Sequence, residues 1–313
     1  MSDRLKMPPY RDSGFYQRRK HDTWREVPSP TPPLEAPVAD SHAHIHMLPD
    51  PPWEIARCAL NGIDYACMIV DPSEDGTRPF DKLDSWLVAA EQEIASAVPT
   101  IRIATGVHPH NAKLYTEEIE RTLIEHLHDS RVVALGEIGL DYHYDLSPRD
   151  AQRTVFRRQI ELAHEIGLPL VLHLRGGEDP ETDCAHTEAF EILREMDALG
   201  PNTLLHCCTL PPDEIRPWIE ADCFIAFGGA VTFKSADAAR EGVRLVPSNR
   251  LLFETDAPYM TPEPMRGAAC TPAHVIFTAA AIADMRGCSV GNDRRRFLEE
   301  VHENTVRFYG KRP

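Results

Sequence analysis

No apolar run in this 313-residue chain reaches the roughly 18–20 residues that cross a bilayer. The polar, basic N-terminus has no apolar signal core either. A cytoplasmic location with no membrane partner is therefore the expectation. None of the eight cysteines forms a Cys-x-x-Cys pair, and most sit in apolar segments, so they read as buried free thiols rather than disulfides. No strand-like run is followed by Gly-x-Gly-x-x-Gly, which removes the dinucleotide-binding open sheet. Basic residues are in short supply: 33 Lys and Arg stand against 49 Asp and Glu, a formal charge of −16. Proteins that grip long nucleic-acid duplexes present a basic face. The deficit argues against extended, non-specific duplex binding and leaves room for an enzyme whose positive charge is concentrated in bound metal.

The composition that remains is globular, with 42% hydrophobic and 26% charged residues, and the length suits one large α/β barrel or two ordinary domains. Residues 1–37 form a separate arm holding seven of the 27 prolines, five of them between Pro28 and Pro37. Such sequence buries little apolar surface, so the arm is expected to be disordered or surface-draped. Its removal is expected to leave the fold nearly intact. Residues 38–313 are a different matter. Strand-like apolar runs recur at Val38–His42, Asp64–Val70, Ile101–Val107, Val132–Ile138, Leu168–Leu174, Thr203–His206, Cys223–Phe227 and Leu251–Glu254. Helical patterns separate most of them, as at Thr116–His128, Asp150–Ile166 and Thr187–Leu199; the second carries an i, i+3/i+4 stripe and ends at Gly167, where a C′ glycine belongs. Eight strands alternating with helices predict a (β/α)8 TIM-type barrel.

Active sites of such barrels lie at the carboxyl ends of the strands, and here those ends concentrate ligand-type residues. The first run ends in His42-Ala43-His44. Residues two apart on a strand share a face, so two imidazoles stand side by side, as two ligands of one divalent cation would; taken alone, the pair reads first as structural or surface histidines and only second as a metal site. Later ends read Gly106-Val107-His108-Pro109-His110, Gly136-Glu137-Ile138-Gly139-Leu140-Asp141-Tyr142, Leu172-His173-Leu174-Arg175, Leu205-His206-Cys207 and Glu254-Thr255-Asp256-Ala257-Pro258-Tyr259. A random scatter of 15 histidines would not favour strand ends in this way.

This ordered set of motifs resembles the TatD family of metal-dependent hydrolases, within the amidohydrolase superfamily, over roughly residues 38–309. The resemblance implies a two-metal site: His42, His44 and Asp256 around one ion, His173 and His206 around the second, and Glu137 bridging them. Zinc, manganese or magnesium suits such a mixture of imidazole and carboxylate. Two ions about 3.5–4 Å apart can stabilise the attacking and leaving oxygens of a hydrolysis, and Asp256 is placed to act as general base. His108 and Arg175 are candidate contacts to substrate phosphate, with loop shaping and a structural ion pair as their bland readings. Glu254 either reaches the pocket or stiffens the strand end through a salt bridge. Tyr142, His143 and Tyr259 either stack on substrate or pack; His46 and His110 read as loop residues.

The resemblance implies a phosphodiesterase or deoxyribonuclease acting at nucleic-acid ends. A metal-dependent hydrolase of a small ester, lactone, amide or aminoacyl ester is the alternative, and a non-catalytic metal-binding barrel stands furthest back. Three departures from the family pattern fall on loops: Cys208-Thr209 after His206-Cys207, the polar insert 176–186, and Cys270 near Pro272. They bear on substrate identity and touch no proposed ligand.

Overall fold

The computed structural model describes residues 15–18, 24–27, 34–179 and 184–310. Eight strands, β3 (Val38–Ala43), β4 (Ile63–Val70), β5 (Thr100–Thr105), β6 (Val132–Asp141), β7 (Leu170–Arg175), β8 (Thr203–Leu205), β9 (Phe224–Phe227) and β10 (Leu251–Phe253), lie side by side in chain order, each parallel to the next. Two further strands, β1 (Phe15–Arg18) and β2 (Trp24–Val27), pair antiparallel outside this sheet. Helices α1 (Pro51–Leu60), α2 (Arg78–Ile94), α3 (Glu117–Leu127), α4 (Arg149–Ile166), α5 (Ala185–Glu195), α6 (Pro212–Glu220) and α7 (Asp237–Leu245) alternate with the strands; α8 (Val275–Met285) and α9 (Asn292–Tyr309) follow β10. The eight predicted strands and the alternating helices are all present, and the fold is the (β/α)8 barrel.

The sheet closes on itself just beyond the ends of β3 and β10. The Asp256 N–H donates to the His42 carbonyl (2.9 Å) and the His44 N–H to the Ala257 carbonyl (2.7 Å). The buried Asp40 carboxylate reinforces this seam by accepting from the Thr255 N–H (2.9 Å) and hydroxyl (2.6 Å).

Period-two alternation sorts each strand's side chains into two layers. On β4, Tyr65, Cys67 and Ile69 join the barrel interior, whereas Ala66, Met68 and Val70 join the larger cluster that includes the helices. The interior is filled largely by small and branched residues, such as Ala39, Ala104, Val171, Leu204 and Leu252. At its floor stand Phe308 and Tyr309 of α9: the Tyr309 hydroxyl donates to the Ser41 carbonyl (2.7 Å) and its ring stacks near Tyr65 (6.2 Å). The barrel is thus a packed core with chemistry only at its mouth. All eight cysteines are free thiols, as expected. No helix among the described residues is long and apolar enough to cross a membrane.

The arm contributes to this core. Phe15 is fully buried, with its ring edge-on to Phe277 (4.9 Å), near His274 (5.6 Å) and beneath the Arg57 guanidinium (4.9 Å). Val27, opposite Phe15 in the pairing, is buried as well. Most of the remaining arm, including Arg19-Lys20, lies outside the described residues. The burial of Phe15 predicts a larger cost of truncation than composition alone does. Phe15→Ala is expected to lower unfolding stability by about 3 kcal/mol, and deletion through Val27 by at least as much; equilibrium denaturation of both variants checks this.

Arg57 also lies 3.8 Å from a second buried group, Glu54. Burial pushes its carboxyl up to about 7 against the opposing pull of Arg57. The folded chain therefore holds this proton to about pH 7, whereas the unfolded chain releases it near 4.5. The folded state binds more protons across that window, so the stabilising contribution is complete below about 4.5 and lost as pH rises through about 7. Glu54→Gln should flatten that decline, opening a difference from the parent on the order of 2–3 kcal/mol between pH about 5 and about 8; chemical denaturation at several pH values reads it.

Candidate active site

The same alternation that fills the barrel floor aims chemistry into its mouth. His173 stands two residues beyond Val171 and Glu254 two beyond Leu252; His206 likewise follows Leu204. Each extends an interior-facing column by one step. Glu137 reaches the mouth from β6, whose register to β7 shifts between Gly136 and Ile138. The absence of a Cβ lets the two strands approach there. A Cβ on Gly139, at φ +146°, would lie 2.1 Å from the His173 carbonyl oxygen, and one on Gly136 2.5 Å from Val171 Cβ. On the far side, the barrel seam carries His42, His44 and Asp256, the last with left-handed backbone at φ 57°, a conformation Asp tolerates better than most residues.

Four of the expected residues, His42, His44, His173 and His206, surround the carboxylate of a fifth, Glu137, and the sixth, Asp256, lies beside His42 and His44. Its Oε1 lies 2.6 Å from His173 Nδ1, 2.8 Å from His206 Nε2 and 3.6 Å from His108 Nε2. Its Oε2 lies 3.3 Å from His42 Nε2 and 3.8 Å from His44 Nε2. Asp256 Oδ1 is 3.6 Å from His44 Nε2 and 3.8 Å from His42 Nε2. The His42 and His206 rings stack face to face at 3.9 Å.

Electrostatics follow from this crowding. Burial alone would push the Glu137 carboxyl up, but His206, His42 and His108 together hold it well below the usual range. Burial likewise opposes charge on His206, yet Glu137 and Glu254 overcome it and raise that imidazole. Its stacked neighbour His42 goes the other way, lowered by burial and by His206. For His44 and His173, the carboxylates Asp256, Asp141 and Glu137 outweigh burial and raise both. Asp256 is held below the ordinary carboxylate value because His44, His206 and His42 outweigh its burial.

Protons alone leave this cluster incompletely satisfied. Both ring nitrogens of His42, His206 Nδ1 and Glu254 Oε2 are buried without a hydrogen-bond partner. Buried polar atoms are normally paired, and four of them beside an anionic carboxylate form a donor set that a cation satisfies. His42, His44 and Glu137 offer ligand atoms within 4.8 Å of one another, as do Glu137, His173 and His206. The mixture of imidazole nitrogen and carboxylate oxygen suits divalent ions of the zinc and manganese type, and magnesium where carboxylate dominates.

The remaining expectations divide. His108 lies in the site, its ring 4.2 Å from that of His173, with burial and His173 lowering it to about 4. Arg175 is exposed at the rim, its guanidinium 4.7 Å from the Tyr144 ring centre, and no carboxylate among the described residues forms an ion pair with it. Glu254 is fully buried, accepts from the Cys207 N–H (2.6 Å) and sits 3.5 Å from His206 Nδ1. Tyr142 packs, with its hydroxyl on Glu188 (2.5 Å), whereas Tyr259 is half exposed, 6.1 Å from the His44 ring. His46 fits the loop reading, 2.9 Å from Asp75. His110 departs from it: the short helix Pro109–Leu114 carries its ring back over the site, where Nε2 meets Asp141 (2.8 Å).

Three residues went unassigned in the sequence. Asp141 is fully buried among the imidazoles of His110 and His173. Gln152 and Gln159, on the buried face of α4, clamp backbone at the rim. Gln152 accepts from the Asp141 N–H (2.8 Å) and donates to its carbonyl (3.1 Å). Gln159 does the same at Val107 (2.7 and 3.0 Å), one residue before His108. Two glutamines seven apart on an otherwise apolar helix face are the signal that marks them.

A parallel barrel with a histidine–carboxylate cluster at the carboxyl ends of its strands places this chain among the metal-dependent barrel hydrolases. Residues 39–310 match the family described as TatD related DNase, and the chain belongs to that family. Among its relatives, the metal-dependent hydrolase YabD of Bacillus subtilis (strain 168) is 37% identical over 203 residues, covering 65% of this chain and 76% of YabD. The 3'-5' ssDNA/RNA exonuclease TatD of Enterobacter lignolyticus (strain SCF1) is 34% identical over 225 residues, 70% of this chain and 82% of that protein. The crystal structure of YJJV, a TatD homologue from Escherichia coli K12, superposes with a TM-score of 0.73 at 22% identity over 88% of this chain and 98% of YJJV.

The close approach of β6 to β7 makes one substitution decisive for the site. Gly139→Ala would place a methyl group against the His173 carbonyl in a backbone conformation that side chains avoid. A loss of about 3 kcal/mol or more in unfolding stability is expected, with divalent-ion binding weakened alongside. Denaturation and calorimetric ion titration of the variant measure both.

Proposed function

We propose that this protein is a phosphodiesterase that hydrolyses nucleic-acid ends with two divalent cations, zinc, manganese or magnesium, held at the barrel mouth. The observation that carries this reading is the convergence of His42, His44, His173 and His206 on the Glu137 carboxylate, with Asp256 beside His42 and His44. Family membership and the named exonuclease activity of the Enterobacter relative support the choice of bond.

In this reading His42, His44 and Asp256 would hold one cation and His173 and His206 the other, with Glu137 available to both. Bound cations supply Lewis acidity toward a phosphoryl oxygen and bring the ionisation of water near neutral pH. The chain's own residues do the rest. Asp256, kept ionised by His44 and its neighbours, orients the attacking water and takes its proton. His108, kept neutral near pH 7 by burial and His173, contacts the substrate phosphate through a ring nitrogen. Arg175 supplies planar donors to a non-bridging oxygen from the rim. Apolar barrel packing beneath the site excludes water from below.

The acidic balance of the chain, −16 overall, favours a second reading, a small ester or lactone as substrate. A metal-reconstituted activity screen with single-stranded DNA and RNA, a generic phosphodiester, esters and lactones decides between them. Turnover of the lactone or ester with none on phosphodiesters would replace the proposal.

Two variants then separate base from ligand. Asp256→Asn keeps one oxygen for coordination but loses charge and basicity; it should retain its fold and most of its metal while turnover falls about 10²–10⁴-fold. His173→Ala should lose metal occupancy first, with activity partly restored by excess divalent ion. Metal stoichiometry beside turnover is the measurement. A fully metallated Asp256→Asn protein turning over at the parental rate removes Asp256 as the base.

A further inference from the structure

Asp141 takes no part in the proposed ligand set, yet it is fully buried at the mouth and both of its carboxylate oxygens are committed. Oδ1 accepts from the backbone N–H groups of His143 (3.0 Å) and Tyr144 (2.8 Å), which fixes the turn leaving β6. Oδ2 faces two imidazoles at once, His173 Nε2 at 3.0 Å and His110 Nε2 at 2.8 Å. Gln152 clamps the Asp141 backbone from both sides, so the carboxylate is held by its main chain as well as by its side-chain partners. The opposite nitrogen of His173, Nδ1, points at Glu137 Oε1 from 2.6 Å.

The His173 ring is thereby spoken for at both ends. A carboxylate accepts and does not donate, so Asp141 selects the tautomer with hydrogen on Nε2. That choice leaves the Nδ1 lone pair aimed toward Glu137, where a cation shared with that carboxylate would lie. Ligating histidines ordinarily donate their second nitrogen to a carboxylate or carbonyl that fixes ring and tautomer. His206 has a weaker counterpart in Glu254, whose Oε2 lies 3.5 Å from His206 Nδ1 without a hydrogen bond between them. The better geometry is on the His173 side.

We infer that Asp141 is a positioning residue: it holds His173 in the Nε2–H tautomer with Nδ1 presented for a cation, and through the same oxygen it fixes His110 over the substrate-facing side of the site. The inference rests on the proposed assignment of His173 as a ligand. It also explains why His110, on a short helix after β5, is drawn back into the mouth: the carboxylate that orients one ring anchors the other.

Asp141→Asn is the discriminating change, because its remaining oxygen can still accept from His143 and Tyr144 while an NH2 group replaces Oδ2. That group donates toward His173 Nε2 and so favours the wrong tautomer. Calorimetric titration of the metal-free full chain with Zn2+ or Mn2+ should show one equivalent weakened about 10–100-fold and the other within about twofold of the parent, with melting temperature nearly unchanged. Long-range 1H–15N spectra of the Zn2+-loaded parent should show His173 and His110 both as Nε2–H, and the variant should lose that signature at His173. Spectra of the parent keep the idea testable should the variant fail to fold, since Nδ1–H on His173 in the loaded parent overturns it. Unchanged affinity for both equivalents in a folded Asp141→Asn protein overturns it as well, while leaving the two-cation reading standing. A parent chain that binds no divalent ion defeats both.

Discussion

A carboxylate taken out of water into an apolar barrel is costly unless its charge is met at close range. Glu137 creates that demand here, and the site can be understood as its answer. Nitrogens from five histidines lie within 3.8 Å of its two oxygens. They come from four different strand ends, so no local segment of the chain could supply them. The barrel is the device that makes the assembly possible: eight parallel strands point their carboxyl ends the same way, and each offers its interior-facing column to a common centre. Removing that convergence leaves a buried anion with no compensation, so the fold and the charge cluster depend on each other.

The seam between the first and last barrel strands shows the dependence most directly. The backbone groups of His42, His44, Asp256 and Ala257 close the barrel by exchanging hydrogen bonds, and three of these same residues place side chains in the site. Asp40, buried and bonded to Thr255 across the seam, pulls the two strands into register. Closure and site assembly are one event at this point. A ligand pair read from His42 and His44 alone is weak; it gains meaning because closure delivers Asp256 to it from more than two hundred residues away.

Much of this was legible in the sequence, for a physical reason. Strand columns have a fixed period of two, so a polar residue terminating an apolar run can be placed on the interior face without coordinates. His173 and His206 were accessible in this way, whereas Glu137 turns inward only through the register shift between Gly136 and Ile138 and was legible from its motif alone. Residues that depend on loop conformation were not. His110 follows a proline in a short helix whose path back over the mouth no periodicity encodes. Asp141 lies four residues past Glu137 at the end of the same strand, and its role exists only once His110 and His173 are brought to it. Gln152 and Gln159 act through side-chain to backbone bonds that span 11 and 52 residues. The place of Phe15 was hidden for a different reason: composition averages over the proline-rich arm and does not register a single aromatic ring packed against Phe277 and Arg57.

Charge connects the site to the whole surface. With a formal charge of −16, the chain repels a polyanion at long range, and the screening length of about 8 Å at physiological ionic strength confines any local exception to the mouth itself. That mouth holds Glu137, Asp141, Glu254 and Asp256 against histidines pulled in opposite directions, His206 and His173 raised by the neighbouring carboxylates and His42 and His108 lowered by burial. Cations bound among these donors concentrate positive charge where an anionic substrate must arrive, without requiring a basic surface elsewhere. In the proposed two-cation reading, Arg175 extends that positive region to the rim, its plane supported by Tyr144. On that proposal an acidic protein would recognise the end of a phosphodiester chain, which presents few phosphates to the mouth, and reject a long duplex laid across its surface.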